Sequence, residues 1–174
     1  VPVTGETAPH YFSLTDEELR ARDADLRMSP PLRTEDDRRA VIEALRDGTL
    51  QAIATDHAPH TPAEKAVFEK APNGAVGMET SLAAGITWLV RPGFLTLSQL
   101  IRLMSTSPAR MLGLHAGTLA SGAPADVVVF DPEESWRVDP DALHGKSRNA
   151  VFKGKTLTGR VKATICRGRF VFRA

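Results

Sequence analysis

Short apolar runs that end in polar residues mark two predicted strands in the first third of the chain. The clearest run, Ala52-Ile53-Ala54, contains a β-branched residue and stops at Thr55-Asp56-His57. This pattern predicts a short buried strand. Residues 1–7 alternate loosely and are rich in β-branched side chains, so we predict a second strand there, which leads into Ala8-Pro9-His10. Each predicted strand therefore ends near a histidine.

Helical spacing of apolar residues separates and follows these strands. The first predicted helix is capped by Thr34 and stops at Gly48, and its apolar face consists of Ala40, Val41, Ala44 and Leu45. The second covers 78–90, with Leu82, Ile86 and Leu89 on one face. The third begins near Thr96, with Leu97, Leu100, Ile101 and Met104 on one face, and a short fourth helix lies within 107–113. Thr15 and Glu18 also have the spacing of a capping box, which predicts a short helix after residue 15. The order strand, helix, strand favours a parallel sheet.

The periodic pattern of apolar residues weakens in two stretches of the chain. Residues 61–78 show no strong periodicity, and a loop of this length inside a compact domain is usually functional or disordered. Because it follows a candidate catalytic strand, we interpret it as a substrate-covering loop. After Gly113, glycines punctuate the chain and the strand-like runs are 125–130, 161–166 and 170–172. We therefore divide the chain into 1–113, of mixed helices and strands, and 114–174, of strands.

Composition narrows the possible functions. The 174 residues carry a net charge of +1, from 22 basic and 21 acidic side chains, which argues against binding to nucleic acid or to a membrane surface. The single cysteine, Cys166, excludes an internal disulfide and is compatible with a reducing cytosol. No apolar run approaches the ~20 residues that a membrane span needs, and no secretory signal opens the chain. We expect a cytoplasmic protein and, because the chain starts at Val1 within a predicted strand, a C-terminal piece of a longer one.

Asp56 gives the first indication of chemistry. In α/β proteins, the reacting groups lie at the carboxyl ends of the strands, and Asp56 and His57 follow a predicted strand directly. A carboxylate oxygen and an imidazole nitrogen are ligands that zinc accepts. His60 follows within the same turn, which Pro59 stiffens. Asp56, His57 and His60 are also compatible with a solvated polar turn. Taken alone, they leave open whether this turn is a metal site or a solvated turn.

The string A-T-D-H-A-P-H-T-P at 54–62 resembles the signature of the dihydroorotase family, within the cyclic amidohydrolase superfamily. Four further stretches resemble segments of that family, in order along the chain: E-T-A-P-H-Y-F-S-L-T-D at 6–16, S-P-P-L-R at 29–33, A-P-N-G-A-V-G-M-E-T at 71–80 and S-R-N-A-V-F at 147–152. The resemblance implies an α/β fold: the C-terminal part of a TIM-type (β/α)8 metal-dependent hydrolase barrel, whose last strands and helices are 1–113, plus part of a small β-sandwich domain at 114–174. It also implies zinc-dependent, reversible cyclisation of N-carbamoyl-L-aspartate to dihydroorotate, a step of pyrimidine biosynthesis.

The resemblance also assigns roles within the site. Asp56 would be the catalytic residue and a metal ligand, His10 a second metal ligand, and His60, Ser29, Pro72 and Gly74 substrate-binding residues. Ser29 replaces an asparagine of the family pattern, so a rigid turn with Arg33 in a salt bridge is an equal alternative there. His57 is expected to be a supporting residue, and His115 and His144 to be structural or exposed. The full site would hold two zinc ions whose other ligands precede this chain, so the chain alone is expected to be inactive.

Two other functions stay open from the sequence. One is another cyclic amidohydrolase, of the hydantoinase or allantoinase type, although His60 favours dihydroorotase. The other is a non-catalytic dihydroorotase-like protein that serves as a structural partner of aspartate transcarbamoylase. The expected partners are the small-molecule substrate and other copies of the chain, with aspartate transcarbamoylase as a third.

Overall fold

The secondary structure comes from a computed structural model, which describes residues 1 and 3–174. The described residues form five strands: β1 (Glu6–Thr7), β2 (Ala52–Ile53), β3 (Val127–Arg137), β4 (Thr156–Cys166) and β5 (Arg169–Arg173). Five α-helices are present: α1 (Pro9–Ser13), α2 (Glu35–Asp47), α3 (Ser81–Gly85), α4 (Leu97–Ile101) and α5 (Ser107–Met111). Shorter 3-10 helices cover Asp16–Ala21, Ala24–Leu26 and Pro140–Ala142, and π-helical turns cover Ile86–Val90 and Arg102–Thr106.

Strands β1 and β2 form a parallel pair, which confirms the parallel arrangement expected from the sequence. Glu6 pairs with Ala52 and Thr7 with Ile53. The predicted strand at 1–7 is shorter in the structure, since among its described residues only the last two pair, and residue 2 lies outside the described residues. Because the two strands run the same way, the residues that follow Thr7 and Ile53 leave the pair at one edge.

Helix α2 begins and ends where its local signals predict. The Thr34 hydroxyl accepts a hydrogen bond from the Asp37 amide, and the Asp37 carboxylate accepts one from the Thr34 amide. Gly48 ends the helix with a left-handed φ of 87°. The apolar face was predicted less well: Leu45 is buried, but Ile42 is the other buried residue and Ala40 is exposed. The buried face therefore includes Ile42 and excludes Ala40.

The predicted capping box at Thr15 is wrong. Thr15 makes no side-chain hydrogen bond to the following turn, which is a 3-10 helix. The Glu18 carboxylate instead accepts hydrogen bonds from Lys155 Nζ at 3.1 and 3.3 Å. The Glu18 side chain, which the capping box would have needed, is thus paired with a residue 137 positions away.

The helix predicted over 78–90 begins three residues later, at Ser81, and runs through its π-helical turn to Val90. Residues 75–76 are held in extended bridges to His57 and Ala150, and this pairing delays the helix. Ile86 and Leu89 are buried, as the pattern predicts. Thr96 caps α4 with Gln99 as its reciprocal partner, and α4 and α5 form one helical stretch through the intervening π-turn.

The remaining strands form an antiparallel sheet in the order β3-β4-β5. This sheet packs on the first part of the chain, because one apolar cluster joins Leu14 and Ala83 to Val138, Phe152 and Leu157. Residues 114–126 contain no helix or strand. This segment without helix or strand agrees with the change in sequence pattern after Gly113. The division into domains at that residue stays a prediction. Across residues 1 and 3–174, every helix falls short of the length and apolarity needed to span a bilayer.

Candidate active site

His10 and Asp56 face each other across the open end of the parallel pair. Helix α1 carries His10 two residues beyond a short turn after β1, and Pro9 occupies the first turn of that helix, where its missing amide costs nothing. Asp56 follows β2 by three residues. His10 Nε2 lies 3.6 Å from Asp56 Oδ2, although 46 positions separate the two residues in sequence. The fold thus brings together the two side chains proposed as metal ligands.

Burial keeps His10 neutral. Its side chain is only 6% exposed, and burial lowers its pKa to about 4 against the opposing effect of the Asp56 carboxylate. Its Nε2 has no hydrogen-bond partner among the described residues. A neutral imidazole nitrogen that is buried without a partner is a suitable ligand for a metal ion, because a metal binds the deprotonated ring.

Asp56 occupies an unusual backbone conformation. Its φ is 50°, in the left-handed region that few residues other than glycine adopt without cost. Aspartate tolerates this region better than most residues. Its side chain is 49% exposed, so one carboxylate oxygen can face His10 while the other faces solvent or a ligand. Strain of this kind concentrates at functional sites.

Ser29 lies in an exposed turn that is tied to the same helix as His10. The Tyr11 hydroxyl donates a hydrogen bond to the Pro30 carbonyl at 2.9 Å, and the Tyr11 ring contacts His10 edge-on, with centroids 4.1 Å apart. Burial, with the nearby Asp56 charge, raises the pKa of Tyr11 to about 12. Arg33 forms an ion pair with Asp37 at 3.4 Å, as the structural alternative for this segment expects.

His60 follows Asp56 in the same turn, but its ring contacts other groups. Its Nε2 lies 3.0 Å from the Asn73 carbonyl, and its Nδ1 lies 3.9 Å from the Glu64 carboxylate. Its backbone amide donates to the Asn149 side chain at 3.1 Å. His60 therefore follows the same strand as Asp56, but its imidazole contacts residues of the loop that follows the turn.

The backbone groups of Pro72 and Gly74 are engaged within the protein. Lys65, which is buried, donates to the Pro72 carbonyl at 2.8 Å. The Gly74 amide donates to the Arg27 carbonyl at 2.7 Å, and the Gly74 carbonyl accepts from Asn149 Nδ2 at 3.2 Å. Residues 61–78 contain neither a helix nor a named strand, as predicted, and these contacts attach the loop to the rest of the fold.

Two glycines allow this loop to approach the Asp56 turn. A Cβ at Gly74 would lie 2.4 Å from the Cβ of Ala58, and one at Gly77 would lie 2.7 Å from the Thr55 carbonyl oxygen. Real Cβ atoms do not come so close, so a side chain at either position would push the loop away. The Gly77 amide also donates to His57 Nδ1 at 3.1 Å. His57 thus supports the loop, as expected for a residue that is not itself a ligand.

The other two histidines lie away from the pair. His115 is exposed. His144 is exposed and its Nδ1 lies 2.9 Å from Glu79, whose carboxylate also accepts from the His144 and Gly145 amides. Both observations agree with the structural or exposed role expected for these residues.

The described residues contain two candidate metal ligands, His10 and Asp56, rather than a complete set. Within residues 1 and 3–174 there is no group of three or more histidine, cysteine, aspartate or glutamate side chains that could hold an ion. Catalytic zinc normally has about three protein ligands. His10 and Asp56 fit a divalent metal by their donor atoms, by the neutral state of His10 and by its unpartnered nitrogen.

Sequence reasoning missed two residues that tie the loop and the Asp56 turn to the rest of the fold, namely Lys65 and Asn149. Their partners are carbonyl or amide groups of the backbone, which leave no side-chain pattern to detect. The only available signal was the S-R-N-A-V-F stretch, whose resemblance marks Asn149 without giving it a role.

Comparison with known proteins identifies the family of the chain. A family model described as "Amidohydrolase family" matches residues 8–171. The chain belongs to the amidohydrolase family. Its α/β fold agrees with this family and with solved structures named dihydropyrimidinase and D-hydantoinase.

Curated amidohydrolases named dihydroorotase are among its relatives. The chain is 52% identical over 174 residues to one from Anaeromyxobacter dehalogenans (strain 2CP-1), covering 98% of this chain and 40% of that protein. It is 48% identical over 173 residues to one from Clostridioides difficile (strain 630), covering 99% of this chain and 41% of that protein. The chain thus spans about two fifths of the length of the curated relatives it matches.

Solved amidohydrolase structures share the fold. A dihydropyrimidinase from Brevibacillus agri NCHU1002 superposes with a TM-score of 0.91 at 32% identity, over 98% of this chain and 39% of that one. A D-hydantoinase from a Thermus species gives a TM-score of 0.90 at 29% identity, over 99% of this chain and 40% of that one. The expected fold, part of a TIM-type barrel with additional sheet, is confirmed by these matches.

Proposed function

We propose that this chain is part of a dihydroorotase, which interconverts dihydroorotate and N-carbamoyl-L-aspartate by opening and closing a cyclic amide. The observation that carries the proposal is the His10–Asp56 pair, whose atoms lie 3.6 Å apart at the ends of adjacent parallel strands. The relatives at about 50% identity support the choice of substrate class, because they are named dihydroorotase. The rest of the active protein would supply the groups that this chain does not contain.

Zinc is the metal we propose for the site. Asp56 would bind one ion through a carboxylate oxygen and His10 would bind the second ion through Nε2, and the further ligands of both ions would come from outside this chain. When bound, zinc supplies a Lewis acid that makes water a good nucleophile near neutral pH. The buried, neutral His10 suits this role, because a protonated ring could not bind.

Asp56 would move the proton. In ring opening, water attacks the amide carbon and the carbon–nitrogen bond breaks, so one proton must leave the water and one must reach the departing nitrogen. A carboxylate with one oxygen toward His10 and the other exposed can take the first proton and deliver the second. Ring closure uses the same path in reverse.

Three segments would hold the substrate. His60 would contact a substrate oxygen through its ring, and Ser29 would contribute a hydroxyl from the turn beside Tyr11. The backbone around Pro72 and Gly74 would contact the substrate ring, although the Gly74 amide already donates to Arg27. The substrate would be a small molecule, and we propose that the active protein assembles from several copies.

Hydantoin hydrolysis is the second candidate, and one specific observation favours it. The TM-scores of 0.90 and 0.91 belong to proteins named D-hydantoinase and dihydropyrimidinase. Their identity to this chain is about 30%, compared with about 50% for the relatives named dihydroorotase. The third candidate, a structural partner of aspartate transcarbamoylase, is weakened because His10 and Asp56 are both present and face each other.

The test uses Asp56→Ala in a complete protein. The 174-residue chain is joined behind the segment that precedes the matched region in the Anaeromyxobacter dehalogenans relative, and hydrolysis of dihydroorotate and of hydantoin is followed by absorbance. We expect turnover of dihydroorotate, and its loss in the variant because no other described carboxylate contacts His10. The control is Asp36→Asn, an exposed carboxylate in the first turn of α2.

Each outcome separates the candidates. Near-normal turnover by the Asp56→Ala protein would rule out the assigned role of Asp56. Turnover of hydantoin but not of dihydroorotate would select the second candidate. No turnover of either, with binding to aspartate transcarbamoylase on a sizing column, would select the third.

His60→Ala should mainly weaken substrate binding in the same protein. An unmade polar contact costs roughly 1–3 kcal/mol, so KM should rise while kcat changes little. Steady-state kinetics with dihydroorotate measure both. A fall in kcat with unchanged KM would place His60 in the chemical step instead.

A further inference from the structure

We propose that Asn149 is a positioning residue that fixes the geometry of His60 for substrate binding; this inference rests on the proposed function. Asn149 is only 4% exposed and lies between β3 and β4, far from the strand ends in sequence. Its Oδ1 accepts from the His60 amide at 3.1 Å. Its Nδ2 donates to the Ala58 carbonyl at 3.1 Å and to the Gly74 carbonyl at 3.2 Å.

The partners fix the orientation of the Asn149 amide. The His60 backbone N–H can only donate, so it must meet the oxygen of the amide. The carbonyls of Ala58 and Gly74 can only accept, so both must meet the NH2 group. Turning the amide over would break all three bonds, and both Nδ2 protons are used. The side chain therefore has one arrangement, set by three backbone groups on two segments.

These three bonds join two substrate-binding segments to each other. Ala58 and His60 belong to the Asp56 turn, and Gly74 belongs to the loop that contacts it. The Asn149 carbonyl also accepts from the Val76 amide at 3.0 Å, and Ala58 donates to the Ala75 carbonyl at 2.8 Å. Because the Asn73 carbonyl contacts the His60 ring, the spacing between the two segments determines where that ring points.

Asn149 has no direct route to the reacting atoms. Its three side-chain hydrogen bonds all go to backbone groups, and His60, rather than His10 or Asp56, is the functional residue it holds. Its loss should therefore change how well substrate is bound more than how fast bound substrate reacts. This split distinguishes positioning of His60 from general loss of structure.

The experiment measures Asn149→Ala in the joined protein that tests the proposed function. We expect KM for dihydroorotate to rise about five- to tenfold, the effect of roughly one lost hydrogen bond on binding, with kcat within about threefold. In a His60→Ala background, Asn149→Ala should add little, because the group it positions is already absent. Asn149→Ser, which keeps a hydroxyl for one of the three partners, carries the same test should the alanine protein not fold.

Thr158→Val is the matched control. Thr158 is also 4% exposed, and its hydroxyl accepts from Arg91 at 2.8 Å and contacts Ser135 at 3.2 Å, away from the site. We expect it to lower the melting temperature as Asn149→Ala does, but to leave KM unchanged. A similar rise in KM in this control would show that Asn149 acts through stability alone.

The kinetics would also overturn the proposal if KM were unchanged in Asn149→Ala, or if the effects of the His60 and Asn149 substitutions simply added. Hydrogen exchange of the His60 backbone amide, followed by NMR, gives a readout independent of turnover, and we expect it to be faster in Asn149→Ala. If the unsubstituted protein hydrolyses no dihydroorotate, the proposed function fails. Unchanged exchange at His60 would instead contradict the positioning role.

Discussion

Gly74 and Gly93 share a left-handed backbone but differ in what surrounds them. Gly74 has φ +111° and lies against Ala58, whereas Gly93 has φ +83° and has nothing within 4 Å of an added Cβ. The first therefore needs glycine for two reasons, conformation and close approach. The second needs it for conformation alone. This difference separates two physical effects that usually occur together.

Gly74→Ala should destabilise the chain more than Gly93→Ala. The conformational cost, about 1 kcal/mol, is common to both. The Ala58 contact, at 2.4 Å, adds the cost of forcing a methyl group into a filled space, typically about 1–3 kcal/mol. Urea denaturation of the two variants measures the difference. Equal losses would show that the loop at Gly74 moves away from the Asp56 turn without cost.

At the scale of helices and strands, the sequence predicted the ends of an element correctly where the groups that set those ends lie within the element itself. Thr34, Asp37 and Gly48 all act within their own helix, and α2 begins and ends as they predict. Thr15 and Glu18 show the same type of pattern, but Lys155 takes the Glu18 carboxylate from 137 positions away. No local pattern contains that information, so the error follows from tertiary contact and not from the capping rule.

Helix α2 should lose part of its stability at acidic pH through Glu35. Hydrogen bonds from Arg38 at 2.6 and 2.7 Å, and then from Arg39 at 2.9 Å, lower the pKa of Glu35 to about 2. A depressed folded-state pKa gives stability that is present above the unfolded-state pKa, here 4.5, and that is lost as the pH falls toward 2.

Glu35→Gln tests this dependence. The free energy of unfolding should be lower in the variant at neutral pH, by at most about 1 kcal/mol because the Glu35 carboxylate is 43% exposed and solvent screens the pair. The gap should close between pH 4.5 and 2 and should shrink in 1 M salt, which screens surface charges. A gap that persists at pH 2 would assign it to packing of the side chain.

For the whole molecule, sequence and structure agree on the architecture and on the position of the pair. Parallel strands carry their following residues to one edge, so His10 and Asp56 could be expected to meet, and they do at 3.6 Å. The orientation of the His60 ring toward Asn73 could not be expected, because it depends on how the loop packs against the turn. The resemblance named the residues, and only the fold shows which of them touch.

The 174-residue chain by itself should bind zinc poorly and should not hydrolyse dihydroorotate. Two ligands facing each other give less than the three that catalytic zinc normally needs. Elemental analysis of the purified chain and a ring-opening assay measure the two properties. Tight stoichiometric zinc together with turnover would show that this chain holds a complete site and that the proposed division of ligands is wrong.

The bonds made by Asn149 also have an order in time. Ala58 precedes Asn149 by 91 positions, and at ordinary rates of synthesis roughly 5 to 20 seconds separate their emergence from the ribosome. Until residue 149 appears, the Ala58 and Gly74 carbonyls and the His60 amide lack the partner that Asn149 supplies. The turn that carries Asp56 and His60 therefore cannot complete its hydrogen bonds until residue 149 has emerged, well after β1 and β2 have been made.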